Sequence, residues 1–416
     1  MSRMAGVACA RFAALLLVTA APAATLQWQS IHDPGVGGAV TSVKVSPHDP
    51  QRVLAGGDLL GIALSTDGGA TWLDTFGLKG GYELEEFTWH PTDSNVVWAA
   101  TMSGPYMSPN GGLNWTKKRA GFPAYVWGYH VAPVQKILFD PANPLRLLAF
   151  TGNHRGFGNA SGIGSRTELG EVLSSTDGGN NWTNIAVIGS GYEVTTAVWK
   201  PGSTNILFAA TANGLYASQD RGFSWTRRTN GLPSGKAWWV TVSSAAPNRV
   251  WVAMGGGGVF KSTDGGNSFS SANNGLPTNS GDSYEAIAVS ATNANILYVA
   301  NPSAPDRRIN RSINGGSSWS GALNFGSTAY PFYNDFHCLD IDPANPLRVF
   351  GGTPTTVWRT VDGVNFTDVS ATRLVSGVYR GTGWSGQVTV DFRFNPFNPA
   401  ESATRSTTTP AKPASG

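Results

Sequence analysis

Cysteine is nearly absent from this sequence: there are two in 416 residues, Cys9 and Cys338. Cys9 falls in a leader-like segment, which leaves Cys338 without an internal partner and excludes a disulfide framework. Charge is sparse as well. Lys, Arg, Asp and Glu make up 13% of the chain, against about 25% in ordinary soluble proteins. The formal net charge is +3, so the dense basic stripe of a nucleic-acid surface is missing and nucleic acid is not an expected partner. No apolar run reaches the roughly 20 residues a spanning helix needs, so no transmembrane segment is expected. The six histidines (His32, His48, His90, His130, His154 and His337) show no metal-ligand spacing, and neither a metal nor a cofactor is expected. Gly255 to Gly258 lies between strand-like runs rather than before a helix, and no Gly-x-Ser-x-Gly elbow occurs, which argues against phosphate-loop and serine-hydrolase chemistry.

What is abundant points elsewhere. Glycine contributes 52 residues and tryptophan 15, a profile that suits a turn-rich, aromatic-rich all-β chain. At the N-terminus, Arg3 and Arg11, the apolar stretch Phe12 to Ala20 and the small residues Ala21-Pro22-Ala23 form the three parts of a signal peptide. Cleavage near Ala23 and export, extracellular or periplasmic, are expected, with residues 24–400 as the folded domain.

One punctuation recurs along that domain. It reads Ser65-Thr66-Asp67-Gly68-Gly69 to Trp72, Ser108-Pro109-Asn110-Gly111-Gly112 to Trp115, and Ser175-Thr176-Asp177-Gly178-Gly179 to Trp182. It returns as Ser218-Gln219-Asp220-Arg221-Gly222 to Trp225, Ser262-Thr263-Asp264-Gly265-Gly266 to Phe269, and Ser312-Ile313-Asn314-Gly315-Gly316 to Trp319, with a shortened copy from Thr360 to Phe366. The starts are 43, 67, 43, 44, 50 and 48 residues apart, close to the roughly 40 to 50 residues of a four-stranded propeller blade. Asp and Asn bond the backbone two residues on, and glycine supplies positive φ, so each copy reads as a hairpin turn. The turn carboxylates are therefore structural rather than catalytic, and the aromatic residue that follows can wedge between blades. The spacing predicts a seven-bladed β-propeller of four-stranded antiparallel blades.

Alternation places the innermost strands at Thr41 to Val45, Glu86 to Trp89, Val134 to Phe139, Thr195 to Trp199, Val240 to Val242, Ala286 to Val289 and Cys338 to Ile341. The 67-residue interval holds a Gly, Asn and Ser-rich loop, Gly152 to Gly170. Val388 to Phe394 begins an incomplete eighth repeat, and Leu26 to Ile31 resembles an outermost strand, so the two ends either complete the ring irregularly or belong to a longer parent. Residues 401–416 are Thr, Ser, Pro and Ala-rich, and their composition predicts disorder.

The turn motif is similar to the Asp-box, or BNR, repeat. Gly37-Gly38-Ala39-Val40-Thr41-Ser42 through Asp49-Pro50 to Gly57-Asp58-Leu59-Leu60-Gly61 resembles the opening of the secreted xyloglucanase family of inverting glycoside hydrolases, closely in the first blade and thinly over Trp28 to Pro399. The resemblance implies two facing propellers with one catalytic Asp early in each, and places Asp58 as the first-propeller carboxylate. No counterpart for a second propeller follows Pro399, whereas inversion requires an acid and a base. Asp58 therefore stands as a catalytic candidate beside a turn role. Sialidases share only the repeat: their early Phe/Tyr-Arg-Ile-Pro motif is missing. Sortilin ectodomains and exported photosystem II assembly factors are similar propellers, and they supply the alternative of a non-catalytic propeller that binds glycan or protein.

A second pattern points to glycan independently. Tyr82, Tyr129, Tyr192, Trp238 with Trp239, Tyr284 and Tyr333 precede or open innermost strands, with Glu83, Glu193, Glu285 and Asp335 beside them. In a propeller these positions share one rim of the central channel. Aromatic faces next to carboxylates suit sugar rings, which offer C–H faces and hydroxyls together; inter-blade packing is the competing role. Polysaccharide is the expected partner.

Overall fold

The computed structural model describes residues 40–57, 61–75, 83–122, 133–152, 170–277, 284–300, 309–321, 323, 325, 336–353, 356–375, 378–382, 389–395 and 398–406, with residues 372–381 and those from 389 onward described by backbone alone. Residues 1–39, the Gly152 to Gly170 loop apart from its ends, and the last ten residues lie outside them. No helix among the described residues is long and apolar enough to cross a membrane.

The strands fall into seven antiparallel blades around a central channel. Blade 1 is β1 (Val40–Val45), β2 (Val53–Gly57), β3 (Gly61–Ser65) and β4 (Leu73–Asp74). Blade 2 is β5 (Leu84–Trp89), β6 (Val97–Thr101), β7 (Gly104–Ser108) and β8 (Thr116–Lys117). Blade 3 is β9 (Val134–Asp140), β10 (Asn143–Thr151), β11 (Glu171–Ser175) and β12 (Thr183–Val187). Blade 4 is β13 (Val194–Trp199), β14 (Leu207–Thr211), β15 (Gly214–Ser218) and β16 (Thr226–Arg228). Blade 5 is β17 (Ala237–Ser243), β18 (Ala246–Met254), β19 (Gly258–Ser262) and β20 (Ser270–Ser271). Blade 6 is β21 (Ala286–Val289), β22 (Leu297–Ala300) and β23 (Ile309–Ser312), with the single bridge Arg311 to Ser320 in place of a fourth strand. Blade 7 is β24 (Cys338–Ile341), β25 (Val349–Gly352), β26 (Val357–Thr360) and β27 (Phe366–Asp368).

Two hairpins follow, β28 (Ala371–Val375) with β29 (Val378–Gly381) and β30 (Thr389–Asn395) with β31 (Asn398–Ser406). β30 occupies the predicted eighth innermost strand, and β31 enters the Thr, Ser, Pro and Ala-rich stretch.

The repeated turn explains each outer hairpin. Ser65 Oγ donates to Asp67 Oδ1 at 2.8 Å and accepts from Gly69 N at 2.7 Å, while Asp67 Oδ1 accepts from the N–H groups of Ala70 and Thr71, both at 2.9 Å. Gly68 and Gly69 sit at φ +72° and +87°, where a side chain would be strained. The shortened copy closes one residue earlier, with Gly363 N donating to Thr360 Oγ1 at 3.0 Å. Such bonds stabilise the ionised carboxyl: at Asp177 the side chain and backbone N–H of Asn181 pull the pKa down to about 2.

Hydrophobic burial lies between blades, one cluster per seam. The cluster joining blades 4 and 5, for example, packs Phe208, Leu215 and Ala217 against Val240, Val252 and Phe269. The turn aromatics are the wedges. Trp182 Nε1 donates to Lys118 O of blade 2 at 2.9 Å, Trp319 Nε1 to Ala272 O of blade 5 at 2.7 Å, and Trp72 Nε1 to Val369 O of blade 7 at 3.2 Å. Burying an indole of about 200 Å² at about 25 cal/mol per Å² is worth on the order of 5 kcal/mol per wedge as an upper figure.

The bond from Trp72 also shows how the ring closes. Blade 1 docks directly on blade 7: Val40, Val43 and Trp72 pack with Cys338, Phe350 and Val357. Across the same seam Val40 N donates to Thr353 O at 3.1 Å and Lys44 pairs with Asp340 at 2.7 Å. Among the described residues blade 1 therefore packs directly on blade 7; Leu26 to Ile31, which the sequence offered as an outermost strand, lies outside them.

An identical heptapeptide in two blades supplies a further seam device. In Asp140-Pro141-Ala142-Asn143-Pro144-Leu145-Arg146, Asp140 Oδ2 accepts from Arg146 Nη1 at 2.8 Å, and Arg146 Nη2 donates onward to Arg221 O in the turn of blade 4 at 2.9 Å. In Asp342 to Arg348 the same pair forms at 2.9 Å, and Arg348 Nη2 donates to Gly68 O in the turn of blade 1 at 3.1 Å.

Candidate functional site

The rim is shaped by a feature of register. In blades 1 to 5 the innermost strand carries one extra residue near its start, at Thr41, Glu85, Gln135, Thr195 and Trp238. A bulge of this kind bends the strand and re-aims the extra side chain. Four of the five turn inward to the structure. Thr41 donates to Leu84 O and Thr195 Oγ1 to Ala237 O at 2.9 Å, each reaching the first strand of the next blade, while Glu85 and Gln135 are completely buried. Trp238 is the exception, being only half-buried.

Two charged rim residues join Trp238, and the others lie elsewhere along the rim. Lys236 Nζ lies 3.8 Å from the centroid of the Trp238 ring, in cation–π range, and donates to Glu193 Oε1 at 2.8 Å. Tyr192, half-buried, belongs to the same blade-4 rim as Glu193. A methyl group built on Gly189 would come within 2.9 Å of Tyr192 Cδ2, so glycine there lets the tyrosine ring lie close to the backbone. Trp239 faces the channel while packing against the clusters of blades 5 to 7. Glu285 Oε2 pairs with His337 Nδ1 at 2.9 Å across the next seam but one.

Tyr284 does not share the rim surface. It is 0% exposed, packs in the blade 5 to 6 cluster, and donates its hydroxyl to Pro277 O at 2.6 Å. Its ring serves the core, the competing role for aromatics at this position. Glu83 is half-buried, and its carbonyl accepts from Met102 N at 3.0 Å. Asp58, Tyr82, Tyr129, Tyr333 and Asp335 lie outside the described residues, as does His130.

Behind the rim runs the channel, a cavity of about 180 Å³ to which all seven innermost strands contribute, among them Lys44, Glu86, Lys136, Thr196, Trp239, Ile287 and Asp340. Toward the end that carries the repeated turns lies a chamber of about 300 Å³ bounded by Pro47, Ala291 and Pro343, and the two share Lys44, Lys136 and Asp340. Charges here alternate by blade. Lys136 donates to Glu86 across the blade 2 to 3 seam, and Lys44 Nζ donates to Asp340 Oδ1 at 2.7 Å across the blade 7 to 1 seam, where Asp340 Oδ2 also accepts from Val45 N at 2.8 Å. Burial lowers the Lys44 pKa, but the neighbouring Asp340 and Glu86 carboxylates raise it further, so the ammonium is kept.

The arrangement therefore matches the carboxylates of Glu86, Glu193 and Asp340 each with a lysine of the adjoining blade, and Glu285 with a histidine. No group of three or more His, Cys, Asp or Glu among the described residues could hold a metal ion. The pairing partners Lys44, Glu86, Lys136, Lys236, His337 and Asp340 were not among the sequence-derived site residues. A signal did exist: Glu86 and Lys136 occupy the same position, just after the bulge, in consecutive repeats.

No family profile and no curated protein matches this chain. Solved structures do. The GH74 xyloglucanase from Xanthomonas campestris superposes with a TM-score of 0.66 at 18% identity, over 88% of this chain and 57% of its own. An ancestral GH74 enzyme gives 0.66 at 17% over 88% and 51%, and the GH74 enzyme of Niastella koreensis 0.65 at 16% over 90% and 60%. YCF48 from Cyanidioschyzon merolae gives 0.53 at 14% identity, over 78% of this chain and 95% of its own. A YCF48 structure bound to D1 peptide is comparably similar. At these identities the shared property is the propeller fold, and this chain spans only about half to three-fifths of the GH74 chains.

Proposed function

We propose that this chain is a polysaccharide-recognising propeller of the xyloglucanase type, whose rim aromatics hold a glycan chain over the mouth of the channel. The observation that carries the reading is Trp238: the bulge of β17 turns a large aromatic ring out at the rim, where the equivalent residues of four other blades are buried. Lys236 covers one face of that ring and brings Glu193 beside it, and although the indole also packs against the blade 5 to 6 cluster, its exposed part would offer a sugar an apolar surface with a carboxylate and an ammonium for its hydroxyls. Tyr192, half-buried on the rim of blade 4, would offer a second aromatic surface. In the same reading Asp58, at the β2 to β3 turn, is the proton-transfer candidate, as the likeness of the first blade to the xyloglucanases implies.

A second reading, a binding propeller without catalysis, is favoured by one observation. The carboxylates of Glu86, Glu193 and Asp340 are neutralised by lysines, which suits blade cohesion better than acid–base work. The likeness to YCF48 makes a protein ligand the form this reading would take if glycans are not bound. Release of reducing ends from xyloglucan and other β-glucans by the wild type and Asp58→Ala separates the readings. The enzyme reading expects activity in the wild type that Asp58→Ala loses by at least a hundredfold, in line with removal of an acid–base group. Equal activity in both, or none in either, leaves the chain as a binder.

A further inference from the structure

The face opposite the rim carries the repeated turns, and at three of its seams an arginine is answered by a carboxylate or a turn carbonyl of the neighbouring blade. Arg146 and Arg221 share the buried Asp140. Arg311 Nη1 donates to Gly363 O at 3.4 Å, and Arg348 and Arg359 both donate to Gly68 O.

The seam between blades 5 and 6 departs from this. Arg249 on β18 and Lys261 on β19 share the blade face that carries Trp251, since Trp251 pairs with Lys261 and Arg249 stands two residues earlier. Both reach the blade 6 turn: a methyl group built on Gly315 would lie 3.4 Å from Arg249 Nη1 and from Lys261 Nζ alike. The Gly315 carbonyl, which by analogy would take the cation, accepts instead from Trp251 Nε1 at 3.3 Å. The turn itself carries Asn314 where five of the seven carry Asp. Among the described residues Arg249 finds only the side-chain oxygen of Asn295, at 3.0 Å, and Lys261 stands 6.0 Å from the Trp251 ring centroid. Neither has an ion pair with a carboxylate among the described residues. Burial lowers the Lys261 pKa and the Arg249 charge adds to it, as two unneutralised neighbours require.

We propose that the blade 5 to 6 seam is a binding site for a small oxyanion, a sulfate, phosphate or carboxylate, held by Arg249 and Lys261 beside the Gly315 turn. One tetrahedral anion can accept charge-assisted hydrogen bonds from both cations at once, and the half-buried setting strengthens them. The anion could come free in solution or as a substituent of an acidic polysaccharide, and the chemistry of capture is the same. The site is separate from the rim and does not depend on the reading of Trp238.

Thermal denaturation and calorimetric titration of the full chain with sodium sulfate, against sodium chloride at matched ionic strength, test it. The wild type should show saturable stabilisation by sulfate that chloride does not reproduce. Lys261→Gln and Arg249→Gln should each weaken sulfate about tenfold, or about 1.4 kcal/mol, whereas Lys117→Gln on the exposed β8 should not. Asn314→Asp removes no cation and installs the residue other turns already use. In the closing seam Asp67 stands in that position and its charge acts on Arg359; so Asn314→Asp should abolish the sulfate response while preserving the fold. Retention on immobilised polygalacturonate, lost in the same variants, assigns the anion to a polysaccharide; sulfate binding without retention assigns it to a free ion. A sulfate response equal to that of chloride, or one unchanged in Lys261→Gln and Asn314→Asp, overturns the proposal.

Discussion

Arg221 offers a sharp test of how the seams are stabilised. It sits at φ +64°, at a turn position where the other six repeats have glycine, and is the one described non-glycine residue with positive φ. The left-handed conformation costs a side-chain-bearing residue about 1–2 kcal/mol. Against that, Arg221 Nη2 donates to Asp140 Oδ2 at 2.6 Å, and the Asp140 side chain is 0% exposed while that of Arg221 is 38% exposed. A charge-assisted bond to a buried carboxylate is worth about 1.5–3 kcal/mol, with the exposed end pulling toward the lower figure. Arg221→Gly removes both terms and adds about 0.5–1 kcal/mol of unfolded-chain entropy, so it should destabilise by about 1 kcal/mol. In an Asp140→Asn background the ion pair is already gone, and the same substitution should become neutral or stabilising by up to about 1 kcal/mol. The coupling between the two sites is then about 1–2 kcal/mol. Asp140→Asn alone should cost about 3 kcal/mol, because Arg146 loses its buried counter-charge too. Urea unfolding followed by tryptophan fluorescence measures all four proteins. If Arg221→Gly costs the same in both backgrounds, the turn is not held by Asp140 and the reasoning fails.

Further outcomes follow from the same seams. Trp72→Phe keeps an aromatic wedge at the closing seam but loses the bond to Val369 O, and should lower stability by about 1 kcal/mol; Trp72→Ala should cost about 3–5 kcal/mol, read by thermal denaturation. A Trp72→Ala protein as stable as the wild type would contradict closure through blade 7. The turn carboxylates Asp67, Asp177, Asp220, Asp264 and Asp362 all have pKa values below the ordinary aspartate value. Their stabilisation is therefore complete above the unfolded value near 4 and is lost as pH falls toward 2. The urea midpoint should fall over that window and fall less in Asp177→Asn, which resembles the turns already built on Asn110 and Asn314. A midpoint with the same acid dependence in both proteins would remove Asp177 from the account.

Much of this architecture is legible in the sequence because it rests on local rules. The Ser-x-Asp turns, the positive-φ glycines and the alternation of Thr195 to Trp199 or Cys338 to Ile341 are fixed by neighbours in the chain, and the blades appear where those patterns place them. What escaped depends on pairing between distant strands. The bulges at Thr41, Thr195 and Trp238 are mismatches of register and have no composition of their own. The heptapeptide Asp140 to Arg146 repeats letter for letter as Asp342 to Arg348, yet its partner, the turn of the next blade, is known only once the ring is assembled. Tyr284 and Trp238 were equivalent in the sequence pattern. Burial separates them, since Tyr284 finds a carbonyl in the core and Trp238 is the residue the bulge turns outward.

The most direct test of glycan recognition at the rim is titration of the chain with xyloglucan oligosaccharides, followed by tryptophan fluorescence and calorimetry, for the wild type and Trp238→Ala. The account predicts saturable binding with a fluorescence change in the wild type. In Trp238→Ala, binding should be at least tenfold weaker, about 1.4 kcal/mol, with the thermal midpoint preserved. Undiminished binding by Trp238→Ala, or no binding of any β-glucan by the wild type, would contradict it.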